Sequence, residues 1–169
     1  MPKPYGYFRV ELPEHTYQVF DRADYPYRFE YSTSAEARTD VGSADELYWL
    51  DIRYPAFDAR IHCSYKPVEG NLRELSLDAQ DFVFKHASKA SAIPEKGFDN
   101  PEQHVYGVYY ELHGNTASPF QFYLTDSTRH FFRAALYFNC MPNQDSLAPV
   151  IQYLQTDVMN MIESFEWNR

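Results

Sequence analysis

The chain has little cysteine, with only Cys63 and Cys140 among its 169 residues. Two cysteines this far apart match none of the spacings that hold a structural zinc ion. Both lie in predicted strands, where a lone cysteine is usually a small buried apolar side chain. Whether the two thiols form a disulfide stays open, because that depends on a Cα separation that the sequence does not give.

Long apolar runs and basic clusters are also missing. No apolar stretch approaches the roughly 20 residues of a membrane-spanning helix, and the start of the chain lacks the charged and apolar regions of a secretory signal. The net charge is −9, and the densest basic pairs, Lys85 with Lys89 and Arg129 with Arg133, are diluted by acidic residues. Because nucleic-acid binders neutralise phosphates with a basic patch, we expect no nucleic acid partner.

Glycine is scarce, with six residues, and none of them forms a phosphate-binding loop or a dinucleotide fingerprint. No serine lies in a Gly-x-Ser-x-Gly turn. We therefore expect no cofactor and no catalytic residues. A hydrolase using Ser127, His130 and Asp126 is the alternative, although a triad also needs an oriented base and an oxyanion hole.

A metal site has weak support. Glu111 and His113 are two residues apart on one face of a predicted strand and are the pair closest to ligand geometry. There is no His-Glu-x-x-His motif and no cysteine pair. We expect no metal, and a small-ligand or metal-binding module remains a further alternative, which would require a concave apolar pocket.

Aromatic residues are abundant, with 15 Tyr and 13 Phe, and they favour strands because rings pack well on a pleated surface. Period-2 patterns predict strands over 17–20, 27–31, 47–54, 59–66, 103–113, 118–126 and 130–139. Period-3.6 patterns predict an amphipathic helix over 71–91 and another beginning at Asp145 or Ser146. Residues 32–46 and 94–102 are predicted to be loops. We expect an α+β fold, a single twisted antiparallel sheet with two main helices packed on it.

The clearest hairpin joins residues 47–54 to residues 59–66 through a four-residue link that contains Pro55. Its polar side chains should share the wetter face of the sheet. These are Asp51, Arg53, Arg60, His62 and Ser64.

One group of polar residues lies among many apolar neighbours, where charges must be paired or solvated. It combines positions on the first helix with the turn between the last two strands. Arg133 is three residues after His130 and so falls on the opposite face of its strand. We predict a recognition patch for a partner protein, with structural pairing of Arg133 as the alternative. The patch comprises Lys85, His86, Lys89, Asp126, Arg129, His130 and Arg133.

Several stretches resemble the gliding-motility lipoprotein GldD family of the Bacteroidetes. They are the Pro-Lys-Pro-x-Gly-Tyr-x-Arg start at Pro2, the Ile-His-x-Ser-Tyr-Lys segment at Ile61, the helix end FVFKHASKASAI, and the aromatic run from His104 to Asn139 with the PNQDS turn after it. The order of sheet and helices is also similar to the Mog1/PsbP-like fold, which implies nothing about function.

The resemblance implies a non-enzymatic, lipid-anchored component of the cell envelope. Such a protein would face the periplasm, be required for gliding motility and associate with the secretion and motor machinery. It also implies a removed leader ending at a lipidated cysteine. We therefore expect residues 1–14 to be an extended arm that follows this leader, and residues 15–169 to be a single α+β domain.

Overall fold

The computed structural model describes residues 12–86, 93–113, 116–139 and 144–168. These residues form antiparallel sheets and two main helices, so the predicted α+β class is confirmed. The elements are β1 (Tyr17–Asp21), β2 (Tyr27–Ser32), β3 (Glu36–Arg38), β4 (Leu50–Tyr54), β5 (Ala59–Pro67), α1 (Leu72–His86), β6 (Glu95–Asn100), β7 (Val105–Glu111), β8 (Phe120–Thr125), β9 (His130–Phe138), α2 (Gln144–Ser164) and β10 (Glu166–Trp167).

The strands form two sheets, which corrects the prediction of a single one. The larger sheet has the order β3-β4-β5-β9-β8-β7-β6, and the smaller has the order β1-β2-β10. Every pairing is antiparallel. An alternating pattern identifies a strand but not its neighbours, so it could not show that β2 pairs with β1 and β10 instead of joining the larger sheet.

The main core lies on one face of the larger sheet, beneath α2 and the smaller sheet. We call this the α2 face. Phe132 of β9 lies on it, with its ring centroid 4.8 Å from that of Tyr27 and 4.9 Å from that of Phe165. All three side chains are fully buried, and fully burying a side chain of this size contributes about 1.5–3 kcal/mol. This aromatic cluster joins the two sheets to the end of α2.

The opposite face of the larger sheet is partly covered by α1, and we call it the α1 face. Ala79 and Leu75 pack on Phe131 of β9, and Val83 packs near Tyr110 of β7. Because Phe131 and Phe132 are adjacent in one strand, they point to opposite faces. The apolar side of the amphipathic helix predicted over 71–91 is therefore the side of α1 that packs on the sheet.

Two segments predicted to be loops contain strands. Residues 94–102 include β6, and residues 32–46 include β3. Both lie at an edge of the larger sheet. At least one face of such a strand is exposed to water, so its sequence need not alternate between apolar and polar residues. The polar sequence Glu-Lys-Gly-Phe-Asp-Asn of β6 pairs in register with β7 all the same.

Some predictions fall on residues outside the described part of the chain. These are the arm up to residue 11, the end of the first helix beyond His86, the turn at Gly114-Asn115, and Cys140. Cys63 is a free, fully buried thiol. Among the described residues, no helix has the length and apolar character needed to cross a membrane.

Candidate functional site

The turn between β8 and β9 is built around the carboxylate of Asp126. Its Oδ1 atom accepts hydrogen bonds from the backbone N–H groups of Thr128, Arg129 and His130 at 3.1, 2.8 and 2.9 Å. Burial acts to raise the pKa of Asp126, but these donors outweigh it and the net pKa is lowered. Ser127 occupies the left-handed region, with φ of 76°. The turn therefore holds Arg129 and His130 in fixed positions.

The imidazole of His130 is held on two sides. Its Nδ1 atom lies 2.6 Å from the hydroxyl of Tyr65, and its ring stacks on Trp167 with centroids 4.9 Å apart. Burial lowers the pKa of His130, with Asp126 opposing and Arg129 adding to the effect. Burial also raises the pKa of Tyr65 to about 12, so this hydroxyl keeps its proton and can donate a hydrogen bond to Nδ1 of a neutral imidazole.

Trp167 comes from the short strand β10, which pairs with β2. Its indole Nε1–H donates to the carbonyl of His104 at 2.9 Å. His104 is in the left-handed region, with φ of 56°. The indole thus joins the turn before β7 to the end of the chain and forms one wall of a cavity.

This cavity has a volume of about 810 Å³, and we call it the tryptophan groove. It combines an aromatic wall with polar groups at the rim, a composition typical of recognition surfaces. It is lined by Pro26, Gln103, His104, Asp126, Thr128, Arg129, His130, Trp167 and Asn168.

The structure brings together Asp126, Arg129 and His130 from the predicted patch. Arg133 lies on the α1 face, where its guanidinium packs over the ring of Phe82 at 4.6 Å and burial lowers its pKa. Lys85 is exposed on α1. The side chain of His86 and the whole of Lys89 lie outside the described part. The patch thus divides between two faces of the sheet, as expected from the spacing of His130 and Arg133.

The three residues of the hydrolase alternative have other hydrogen bonds. Asp126 binds backbone N–H groups and His130 binds Tyr65. The backbone N–H of Ser127 donates to Thr125 Oγ1 at 3.0 Å. No hydrogen bond links the Ser127 hydroxyl to His130 within the described residues, and the tryptophan groove is not lined by Ser127. These hydrogen bonds are those of a turn, and the three side chains do not form the serine–histidine–aspartate chain of hydrogen bonds that a triad requires.

Glu111 and His113 do approach each other, with Nε2 and Oε2 3.8 Å apart. The other carboxylate oxygen of Glu111 accepts from the amide of Gln155 at 2.8 Å. In the part of the chain that is described, no group of three or more His, Cys, Asp or Glu residues is close enough to hold a metal ion.

A second polar centre, which lies around Asp157, was not predicted from the sequence. Asp157 of α2 is only 2% exposed and accepts hydrogen bonds from His15, Tyr17 and Tyr54 at 2.8, 3.0 and 3.0 Å. The signal was available, because Asp157 interrupts the apolar stripe of the second helix between Leu154 and Met161. The centre connects α2 with β1, β4 and the segment before β1.

The fold and then the family are identified by comparison with known proteins. The chain is similar to the solution structure of cyanobacterial PsbP (CyanoP) from Synechocystis sp. PCC 6803, with 15% identity, a TM-score of 0.55 and coverage of 94% of this chain and 96% of that one. This likeness shows that the domain has a PsbP-like fold. A search of curated proteins finds no match. The pattern that defines the gliding motility lipoprotein GldD family matches residues 1–167, so this chain belongs to that family.

Proposed function

We propose that this protein is a non-enzymatic, lipid-anchored component of the cell envelope that faces the periplasm. It is required for gliding and acts through contacts with other proteins of the secretion and motor machinery. Membership of the gliding motility lipoprotein family, over residues 1–167, is the observation that carries this proposal.

The tryptophan groove is the contact surface that we propose. Trp and Arg residues are enriched among the side chains that dominate binding energy at protein interfaces. Here Trp167 and His130 form a stacked pair held by the hydrogen bonds to His104 and Tyr65. A pre-positioned aromatic wall loses little side-chain entropy on binding. Arg129 supplies a positive group at the rim, in a chain whose net charge is −9.

The test is single-cell gliding in a strain that lacks this chain and is re-supplied with its lipidated form. We expect deletion to stop movement and wild type to restore it. The informative variant is Arg129→Glu, because the exposed side chain changes while its backbone bonds to Asp126 and Val68 can remain. We expect it to fail in gliding and to capture its protein partners at least about tenfold more weakly, a loss of about 1.4 kcal/mol.

The matched control is Arg73→Glu, the same charge reversal at an exposed position of α1. It should glide like wild type, and both variants should first be shown to unfold at the wild-type temperature. A deletion strain that still glides would contradict the proposed role. If Arg129→Glu and Arg73→Glu both restore gliding, the role survives but the tryptophan groove is not the contact surface.

A further inference from the structure

A row of polar side chains, three of them charged, crosses β3, β4, β5 and β9 on the α1 face. The register places Glu36 opposite Arg53, Arg53 opposite Arg60, and Arg60 opposite Tyr137. Two arginines therefore lie directly across from each other on neighbouring strands. Like charges at directly opposed positions of a sheet are destabilising unless something neutralises them.

Protein carboxylates neutralise this pair poorly. The nearest to Arg53 is Asp51, at 3.9 Å, and the other oxygen of Asp51 accepts from His62 at 2.7 Å. Arg60 makes no ion pair within the described residues, although its guanidinium lies over the ring of Tyr137 at 5.4 Å. Its Nε–H group is fully buried and has no hydrogen-bond acceptor there. A buried N–H group that makes no hydrogen bond is costly, and the described residues supply no acceptor to this one.

Both arginines line a cavity of about 350 Å³ at the end of the β4–β5 hairpin. The cavity also contains Arg38, whose guanidinium donates to Asp40 at 3.1 Å. Its carboxylates are Glu36, which forms no ion pair with the arginines in the part described, and Asp58, which accepts from the side chain of Asn139 at 2.7 Å. Arg38 thus has Asp40 beside it and Arg53 has Asp51 at 3.9 Å. Arg60 is the cation of the cavity that has no carboxylate partner among the described residues.

We propose that this cavity, which we call the arginine pocket, binds an oxyanion of a small ligand, a carboxylate or a phosphate. Arg60 and Arg53 hold its oxygens between them, because a guanidinium presents a planar pair of donors that matches two oxygens of either group. Tyr137 supports Arg60 from beneath, and Arg38 supplies a further donor at the rim. The assignment is independent of the proposed role in gliding and of the tryptophan groove, which lies at the β8–β9 turn.

The experiment is a titration of the full chain with inorganic phosphate and, separately, with succinate, at constant ionic strength. Binding is followed by NMR shifts of arginine side chains and by calorimetry. We expect a dissociation constant of about 1 mM or below for at least one probe. Arg60→Gln should weaken binding at least about tenfold. Arg60→Lys should also weaken it, since a lysine keeps the charge but loses the paired donors.

Two further variants distinguish a built site from general charge attraction. Arg73→Gln removes one exposed arginine of α1, which does not line the pocket, and should leave affinity unchanged. Glu36→Gln removes a carboxylate from the pocket and should strengthen binding. Binding of phosphate alone, succinate alone or both identifies the oxyanion. The proposal is overturned if neither probe binds, if Arg73→Gln weakens binding as much as Arg60→Gln, or if Arg60→Lys binds like wild type.

Discussion

Replacing Asp157 by alanine tests whether the buried carboxylate of α2 fastens the helix to the sheets. The change removes the acceptor of three hydrogen bonds, from His15, Tyr17 and Tyr54. The hydroxyl of Tyr54 would be left buried without its partner, since this side chain is 1% exposed. Burial first, and then Asp157, raises the pKa of Tyr17 and Tyr54, so both hydroxyls stay protonated donors across the working pH range.

The size of the effect follows from these contacts. A hydrogen bond to a charged group contributes about 1.5–3 kcal/mol, and such contributions do not add fully when they share one acceptor. The bond from His15 counts least, because that side chain is 33% exposed and water can replace the carboxylate. We therefore expect Asp157→Ala to reduce the free energy of unfolding by about 4 kcal/mol. For a domain of this size, the melting temperature would fall by about 8–16 °C.

The assay is urea unfolding at pH 7, followed by fluorescence and circular dichroism. Asp157→Asn keeps the volume and one acceptor oxygen, so its loss should fall between those of wild type and Asp157→Ala. Asp24→Ala is the control, because Asp24 pairs with Arg22 at the surface, where an ion pair contributes about 0–1 kcal/mol. A loss of about 1 kcal/mol or less for Asp157→Ala, comparable with that control, would refute the reasoning.

Three other substitutions test separate parts of the structure. Burial lowers the pKa of His130, so the folded state binds fewer protons than the unfolded state, and stability falls as the pH drops below about 6.5. His130→Gln should reduce this loss of stability, measured by urea unfolding at pH 7 and pH 5. The same change at the exposed His113 should not reduce it. Gly107→Ala would place a Cβ atom against the carbonyl oxygen of Tyr123, where there is no room for it, and thermal unfolding should show a loss of about 3 kcal/mol. Ser127→Gly relieves a left-handed backbone and should add about 1 kcal/mol of stability in the same assay, without affecting gliding; loss of a measurable hydrolase activity on this change would instead support the catalytic alternative.

The sequence was a good guide where side chains alternate between core and water over many residues. β8 and β9 were predicted within a few residues of their bounds. In each strand the side chains that point to the α2 face are rich in phenylalanine, and those that point to the α1 face differ from them in character. It was a poor guide at the edges of the sheets. β3 has three residues, β10 has two, and β6 is polar, so their place depends on a neighbouring strand and not on their own pattern.

The candidate sites show the same limit. Asp126, Arg129 and His130 lie within five consecutive residues, so the turn that holds them was visible in the sequence. Their partners Tyr65 and Trp167 are 65 and 37 residues away from His130 along the chain, and only the pairing of β5 with β9 and of β10 with β2 brings them there. An aromatic wall assembled from distant elements leaves no local motif.

Asp157 and Arg60 indicate which sequence signals would have been informative. Each is a charged residue placed where the surrounding pattern requires something else, an acid within an apolar helix stripe and an arginine directly opposite another arginine. The free-energy cost of such a residue must be offset by specific partners. Asp157 has its partners within the chain, in His15, Tyr17 and Tyr54. Arg60 has a ring beneath it and no carboxylate beside it among the described residues. The comparison separates a charge whose partners lie within the fold from one that the described residues leave without a carboxylate partner, and the second kind is the better candidate for a ligand site.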